Sequence, residues 1–283
     1  LVRLSIPAGA DDAERLIHQG VIPEPTYGAQ LQDMANPGIA PEGKVRLRYS
    51  SVPVRFADGT EMQLRKPQLD ISQLGYGPMH PDMRFSARVA PPMIGLGLLE
   101  AIPEEAILAN AAAQAKENNG IKGRVNRVWD DELQKTVAGR FGWKAGQPNL
   151  NQQNVHAFSG DMGLTTSLRP FDDCTEAQVD CRQAPNGNGP KGEPEVSDNI
   201  LRLMLIYARN LAVPARRDVD APQVLAGKTL FFQAGCQSWN TQNSLPPTSG
   251  VQPLKGLAQN VSVRRSVVGV PLIESNSFHD ALF

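Results

Sequence analysis

The chain has no long apolar run and no excess of either charge. Its 28 basic and 29 acidic residues give a formal net charge of -1. Basic residues occur together only in short pairs such as Arg216-Arg217 and Arg264-Arg265. Nucleic-acid-binding domains normally carry a basic face, and a membrane span needs about 18 to 20 consecutive apolar residues. The sequence therefore predicts neither a nucleic-acid partner nor a membrane span.

The signatures of several common enzyme classes are also missing. No nucleophile elbow, phosphate-binding loop or zinc-helix motif occurs, which argues against hydrolase and nucleotide-dependent functions. Aromatic residues make up only 6% of the chain, whereas 25 glycines and 23 prolines favour a loop-rich protein. No signal peptide is visible and the chain opens at Leu1 without methionine, so we expect an upstream segment.

Cysteine is scarce, with three residues in the chain. Cys174 and Cys181 enclose a short loop, and Cys236 is the odd one. A bond between the first two would contribute roughly 2–3 kcal/mol by restricting the unfolded chain. Two reduced thiols are the alternative. We favour the disulfide, which would require an oxidising compartment, in a bacterium the periplasm.

Alternation of apolar and polar residues predicts one β-hairpin. The alternating runs extend over 45–71, and Asp58-Gly59 lies between them. An Asp-Gly pair in this position is a strong signal for a tight hairpin turn. Pro53 and Pro67 make both strands edge strands, because proline donates no ladder hydrogen bond.

Two helices are predicted from their end signals. The segment 103–116 begins with proline followed by two acids, which suits a first helical turn. The segment 197–211 has Ser197 as its predicted N-cap and Pro214 shortly after its end.

A third predicted helix leads into the only other cysteine. Attachment of a c-type haem uses two cysteines three positions apart, followed directly by an iron-binding histidine. Here Gly227 lies in the preceding helix as a close-packing glycine, and Cys236 takes the position of the first thiol. Trp239 and Asn240 occupy the positions of the second thiol and the histidine. The sequence predicts a haem-domain scaffold with a degenerate motif, in which Cys236 could hold a porphyrin by one thioether.

Seven segments occur in the order of one known family. They are Tyr27–Asp33, Arg88–Glu100, Arg140–Pro148, Gly160–Gly163, Asp172–Thr175, Ala184–Gly187 and Leu211–Arg217. Together they resemble the di-haem c-type oxidoreductase family, whose thiol oxidoreductases are related to bacterial di-haem cytochrome c peroxidases. The resemblance implies a periplasmic protein of cytochrome-c-like domains that carries covalent haem c. It also implies electron exchange with an electron donor protein or a small redox substrate.

The resemblance implies a division into two domains. Residues 1–213 would form a first cytochrome-c-like domain that is incomplete at its N-terminus and carries the hairpin as an insertion. Residues 214–222 would be a linker and 223–283 a second, possibly incomplete domain. The expected fold class is mainly α with long loops and a small β-hairpin.

Four further residues are candidates for haem chemistry. Met93 and His279 are candidate iron ligands, and Asp280 could orient the imidazole. Trp143 is a candidate electron relay between cofactors. The alternatives are a core methionine, an exposed histidine and a packing tryptophan.

The loop 115–124 resembles a calcium site of the family but contains few acids. Calcium prefers several hard oxygen ligands, so we favour a surface turn over a calcium site there. Two functions remain open. The first is a periplasmic c-type haem electron-transfer oxidoreductase that is peroxidase-like. Its haem would be held either at Cys236 or on an upstream segment, with the Cys236 site lost in the second case. The second is a haem-depleted relative that acts as a binding or scaffold module.

Overall fold

The chain folds into two compact units in the computed structural model, which describes residues 1–117, 122–234, 262–265 and 271–274. Unit 1 comprises Leu1–Ala90 and His156–Val196, and unit 2 comprises Pro91–Val155 and Ser197–Phe283. Each unit is therefore assembled from two separate parts of the chain. The division into 1–213, 214–222 and 223–283 stays a prediction.

Short strands and helices alternate along the described chain. The strands are β1 (Val2–Ser5), β2 (Lys44–Arg55), β3 (Glu61–Ser72), β4 (Arg84–Ala87), β5 (Arg127–Asp130), β6 (Lys135–Ala138), β7 (Ser262–Arg265) and β8 (Pro271–Glu274). The helices are α1 (Ala13–Gln19), α2 (Leu96–Glu100), α3 (Glu104–Lys116), α4 (Leu150–Met162), α5 (Val179–Gln183), α6 (Asp198–Asn210) and α7 (Pro222–Gln233). The described strands pair as four antiparallel ribbons: β1–β4, β2–β3, β5–β6 and β7–β8.

The expected fold class, mainly α with cytochrome-c-like domains, is wrong. Helices account for 30% of the chain and strands for 21%, and the seven described helices are accompanied by the four ribbons. Most of these strands have only four residues, which is too short for an alternation to be recognised. In addition, β1 pairs with β4 so that Val2 lies opposite Ala87. Such a long-range pairing leaves no local turn signal in the sequence.

The predicted hairpin is present. β2 and β3 pair in register from Lys44–Ser72 to Arg55–Glu61. Gly59 turns the chain with a φ of 88°, and Asp58 accepts a hydrogen bond from the Thr60 amide at 2.9 Å. The Asp-Gly pair therefore places the turn because glycine accepts a positive φ at no steric cost.

The core of unit 1 lies under the β1–β4 ribbon. Its buried side chains are Val2, Leu4, Tyr27 and Leu31, and the hairpin base packs against them through Val45, Leu69 and Ile71. The Tyr27 hydroxyl donates to the Gly77 carbonyl at 2.5 Å and accepts from the Tyr76 amide at 3.1 Å. A buried tyrosine hydroxyl is thereby satisfied in both roles.

Unit 2 contains the predicted helices α3 and α6. Pro103 precedes α3 at its N-cap position, and the Ser197 side chain accepts a hydrogen bond from the Ile200 amide at 3.4 Å. Both start signals are therefore confirmed. Buried apolar residues of unit 2 include Ile102, Val128, Phe141, Leu150, Val155, Leu201 and Ala208. Within the described residues, no helix combines the length and apolarity that crossing a bilayer requires.

Candidate functional site

The degenerate haem motif lies outside the described residues. This holds for Cys236, Trp239 and Asn240, and also for the candidate iron ligand His279. Their roles stay predictions. The helix that leads towards them is present as α7, which ends at Gln233. Gly227 lies in this helix, and a Cβ at that position would meet no described atom within 4 Å, so its role as a close-packing glycine stays a prediction.

Met93 lies half-buried in the loop that precedes α2. Gly95, two residues later, has a φ of +74° and donates from its amide to the Leu211 carbonyl at 2.8 Å. Gly97 lies so close to α6 that an added Cβ would come within 2.9 Å of the Arg209 Cα. The Met93 loop is therefore fixed at the C-terminal end of α6.

Helix α6 has two apolar stripes. One contains Leu201 and Ala208, which are buried in unit 2. The second, which we call the α6 stripe, consists of Ile200, Leu203, Met204 and Tyr207, all between 37% and 58% exposed. Their spacing of i, i+3, i+4 and i+7 defines one helix face. An apolar helix face normally packs against something, so the α6 stripe is a candidate contact surface for a cofactor.

Sequence reasoning missed Met204 as a candidate ligand. Its thioether lies on the α6 stripe and is 37% exposed. The i, i+3, i+4 and i+7 spacing of the α6 stripe is visible in the sequence. Counting apolar positions on both faces of this helix would have identified Met204.

Trp143 projects from a tight turn of unit 2. Gly142 has a φ of +78°, and the Ala145 amide donates to its carbonyl at 3.1 Å. The Trp143 side chain is 67% exposed. Its proposed role as an electron relay stays a prediction, and the packing alternative is weakened because most of the residue is accessible to solvent.

Two described histidines, His80 and His156, have a ring nitrogen occupied by a hydrogen bond. His80 accepts a hydrogen bond at Nδ1 from the Asp82 amide at 3.1 Å, so the neutral ring carries its proton on Nε2. The Nε2 of His156 lies 2.9 Å from Nη2 of Arg169, and a guanidinium can only donate. Neither ring presents an Nε2 lone pair to an iron in this arrangement.

The described residues fit a porphyrin only in part. Unit 2 offers the α6 stripe and the thioethers of Met93 and Met204, but its described residues include no histidine. The sequence also lacks the two thiols and adjacent histidine of standard attachment. Apolar contact and thioether ligation therefore fit the group, whereas attachment through two thioethers does not.

No observation in the described part of the chain supports a calcium-binding site. No group of three or more His, Cys, Asp or Glu side chains there could hold a metal ion. In the loop 115–124, residues 118–121 lie outside the described residues. The calcium site therefore stays a prediction.

The two remaining cysteines form a disulfide in unit 1. Cys174 and Cys181 are bonded, with 6.0 Å between their Cα atoms. The loop they close is held to the unit by Thr175, whose hydroxyl donates to the Thr26 carbonyl at 2.7 Å. The amide of Thr175 also donates to Oε1 of Gln178 at 2.8 Å, which orients the Gln178 side chain.

Glu42 is a buried acid beside this loop. Its Oε2 accepts from the Gln32 amide at 2.6 Å and its Oε1 accepts from Nε2 of Gln178. Burial raises the pKa of Glu42 to about 7, with smaller upward contributions from Asp173 and Glu24. The two hydrogen bonds lower the pKa but do not offset burial.

Three of the seven family-like segments meet in unit 1. Gln30 and Gln32 of Tyr27–Asp33 both donate from Nε2 to the Gly160 carbonyl, at 2.8 and 2.6 Å. Thr175 of Asp172–Thr175 contacts Thr26, directly before Tyr27–Asp33. Segments that are far apart in sequence are therefore joined by side-chain to backbone hydrogen bonds.

Two further segments meet in unit 2. Glu100, at the end of Arg88–Glu100, accepts from the Leu150 amide at 2.9 Å and from Nε of Arg209 at 2.5 Å. Arg140, the first residue of Arg140–Pro148, donates to the carbonyls of Leu99 and Ile102. These bonds join α2 to the start of α4 and to α6, so they also fix the Met93 loop.

Comparison with known proteins gives one match along most of the chain. The model of the family described as "Di-haem oxidoreductase, putative peroxidase" matches residues 4–260. This range includes all seven segments named above. No solved structure matches the chain.

A short stretch is similar to a different class of protein. It is 90% identical over 50 residues to the acyl-homoserine lactone acylase QuiP of Pseudomonas fluorescens Pf-5, which is 18% of this chain and 6% of that protein. The QuiP of Pseudomonas putida KT2440 is 78% identical over 50 residues, and that of Pseudomonas aeruginosa PAO1 is 67% identical over 58 residues. The chain spans only 6% to 7% of the length of these relatives.

Proposed function

Because the chain belongs to the di-haem oxidoreductase family, we propose that it is a peroxidase-like, haem-dependent electron-transfer protein of the bacterial periplasm. The α6 stripe is the structural observation that carries this proposal. It is a row of exposed apolar side chains in unit 2 that includes the thioether-bearing residue Met204. The Cys174–Cys181 disulfide supports an oxidising compartment.

The residues of unit 2 have distinct roles in this proposal. The α6 stripe would cover one face of the macrocycle and exclude water from it. Met93 or Met204 would hold the iron through its thioether sulfur, while Cys236 would attach the porphyrin through a single thioether bond. When bound, the haem supplies one-electron redox chemistry, and thioether ligation raises its reduction potential.

Other parts of the chain position these groups or connect them to partners. Glu100 and Arg209 hold the Met93 loop against α6 through their ion pair. His279 remains a candidate iron ligand. Trp143, exposed at its turn, would pass electrons to or from a donor protein or a small redox substrate.

Methionine variants test this assignment. The full chain would be produced with a c-type haem maturation system, and the reduction potential of Met93→Leu and Met204→Leu would be measured. We expect one of the two variants to lower the potential, because leucine cannot ligate iron. Met34→Leu, at an exposed position of unit 1, is the matched control. A haem-loaded chain whose potential is the same in all three variants would exclude methionine ligation.

A second function is favoured by the residues at the motif itself. Trp239 and Asn240 replace a thiol and an imidazole, so a haem-depleted relative could act as a binding or scaffold module. A folded chain that remains colourless after production with the maturation system would support this function. The acylase similarity covers too small a part of those relatives to support acylase activity here.

A further inference from the structure

Two neighbouring residues of unit 1 have polar groups that no described residue contacts through a hydrogen bond. Arg3 and Gln30 face each other in an antiparallel bridge. Gln30 is 6% exposed, and its buried Oε1 has no hydrogen-bond partner among the described residues. The Arg3 side chain is half-buried, and within the described residues no hydrogen bond or ion pair reaches its guanidinium. Native proteins leave few buried polar atoms without a hydrogen-bond partner. We therefore expect these two groups to contact a partner that is not part of the described chain.

The orientation of the Gln30 amide is fixed by its other contacts. Nε2 donates to the Gly160 carbonyl and to Oδ1 of Asp161, each at 2.8 Å. Both partners are acceptors, so exchanging the nitrogen and oxygen would place oxygen against oxygen. Oε1 therefore points away from Gly160 and Asp161 and needs a donor from elsewhere.

The face of the β1–β4 ribbon that carries Arg3 also carries other cations. Val2 and Leu4 point into the core, so Arg3 lies on the opposite face. In the strand register Arg3 lies opposite Ser86 and Ser5 opposite Arg84, which puts Arg84 on the same face. Diagonal neighbours on a ribbon are about 7–8 Å apart, within reach of arginine side chains.

Arg88 completes the cationic face. Its amide donates to the Leu1 carbonyl at 3.0 Å, which continues the ribbon by one pair, and its Nε donates to the Ser86 hydroxyl at 3.2 Å. Burial is the main cause that lowers the pKa of Arg3, and Arg88 lowers it further, whereas Asp161 and Asp173 raise it. The three guanidiniums of the ribbon face and the carboxylates of Asp161 and Asp173 therefore sum to a net charge of +1 at this place.

We propose that Arg3, Gln30, Arg84 and Arg88 form a binding site for a small, singly charged oxyanion that retains an O–H group. Hydrogencarbonate and singly charged inorganic phosphate share this chemistry. The anionic oxygens accept charge-assisted hydrogen bonds from the guanidiniums. The O–H group donates to Oε1 of Gln30. Nitrate and sulfate carry no hydroxyl near neutral pH, so they would leave Oε1 of Gln30 without a donor.

Calorimetric titration of the full chain tests the site just below neutral pH, where hydrogencarbonate and singly charged phosphate are both major species. The probes are inorganic phosphate and hydrogencarbonate, compared with sulfate and nitrate at the same ionic strength. We expect saturable binding of the first two and at least about tenfold weaker binding of the others, because a site built for a hydroxyl rejects analogues without one. Perturbation of the Gln30 side-chain amide signal in the NMR spectrum would locate the bound anion.

Charge variants separate a specific site from general attraction. Arg3→Gln should weaken phosphate binding at least about tenfold, because it removes a charge-assisted hydrogen bond. Arg15→Gln is the matched control, since Arg15 lies on α1 and pairs there with Asp12. Arg15→Gln removes one positive charge at a different place and should leave phosphate binding unchanged. Melting curves would confirm that both variants fold.

Several outcomes would overturn the proposal. The first is that sulfate binds as tightly as phosphate, and the second is that Arg3→Gln binds phosphate as tightly as wild type. The third is that no anion binds saturably and an ordered water alone fills the space between Arg3 and Gln30. The haem proposal is unaffected by any of them, because it depends on residues of unit 2.

Discussion

The side-chain amide of Gln178 donates a hydrogen bond to the Glu42 carboxylate, with 2.5 Å between Nε2 and Oε1. Both residues are buried, and Gln178 belongs to the loop that the Cys174–Cys181 disulfide closes. The disulfide therefore keeps a donor in contact with a buried acid. We therefore expect the stability of unit 1 to depend both on the redox state of the disulfide and on the protonation of Glu42.

Glu42 should make unit 1 less stable as the pH rises. Burial raises its pKa from 4.5 to about 7 in the folded state, so between these values the folded chain retains a proton that the unfolded chain has released. Protonation then favours the folded state at the low end of this window, and the advantage is lost as the pH rises through it. Urea unfolding at both ends of the window measures the effect.

Glu42→Gln should remove most of this pH dependence, because glutamine does not titrate. Glu61→Gln, at the exposed end of the hairpin, is the control and should retain it. Equal pH dependence in wild type and Glu42→Gln would show that Glu42 is not the group responsible.

Loss of the disulfide should destabilise unit 1. The double variant Cys174→Ser and Cys181→Ser removes a cross-link worth about 2–3 kcal/mol and also frees the loop that carries Gln178. We expect a lower melting temperature, and the wild type should show the same decrease after reduction with dithiothreitol. Identical melting of oxidised and reduced wild type would contradict the importance of the bond.

Two glycine substitutions in unit 2 should have opposite effects. Gly97→Ala would push its Cβ into the Arg209 backbone and should destabilise the unit by about 1–3 kcal/mol. Gly227→Ala meets no described atom within 4 Å and should stabilise α7 by about 0.5–1 kcal/mol, because alanine favours a helix. Denaturant unfolding distinguishes them, and a loss of stability in Gly227→Ala would show that α7 is closely packed after all.

Glu100→Ala should destabilise unit 2 by about 1.5–3 kcal/mol, because it removes hydrogen bonds from the Leu150 amide and the Arg209 guanidinium. Glu105→Ala on the exposed side of α3 is the control and should change little. Unfolding monitored by circular dichroism compares the two. Equal effects would mean that Glu100 does not join α2, α4 and α6.

Features with local causes could be predicted from the sequence. The hairpin turn at Asp58-Gly59 and the start of α6 at Ser197 depend on a few adjacent residues, and both are confirmed. The pairing of the two cysteines follows the same logic, since the loop between them is short.

Features that depend on distant contacts could not be predicted. The bridge between Arg3 and Gln30 and the contact of Gln178 with Glu42 join segments with no shared local signal. The fold class was wrong partly for the same reason, because β1 pairs with β4 across a long separation. The strands of the β5–β6 and β7–β8 ribbons are local neighbours, but they have only four residues each. Met204 differs from these, since its place on the α6 stripe follows from helical spacing alone.

The absorption spectrum of the purified full chain tests the central claim most directly. After production with a c-type haem maturation system, we predict a Soret band at about 410 nm and distinct α and β bands on dithionite reduction. A colourless chain with the circular dichroism and cooperative melting of a folded protein would contradict the claim that unit 2 holds a haem.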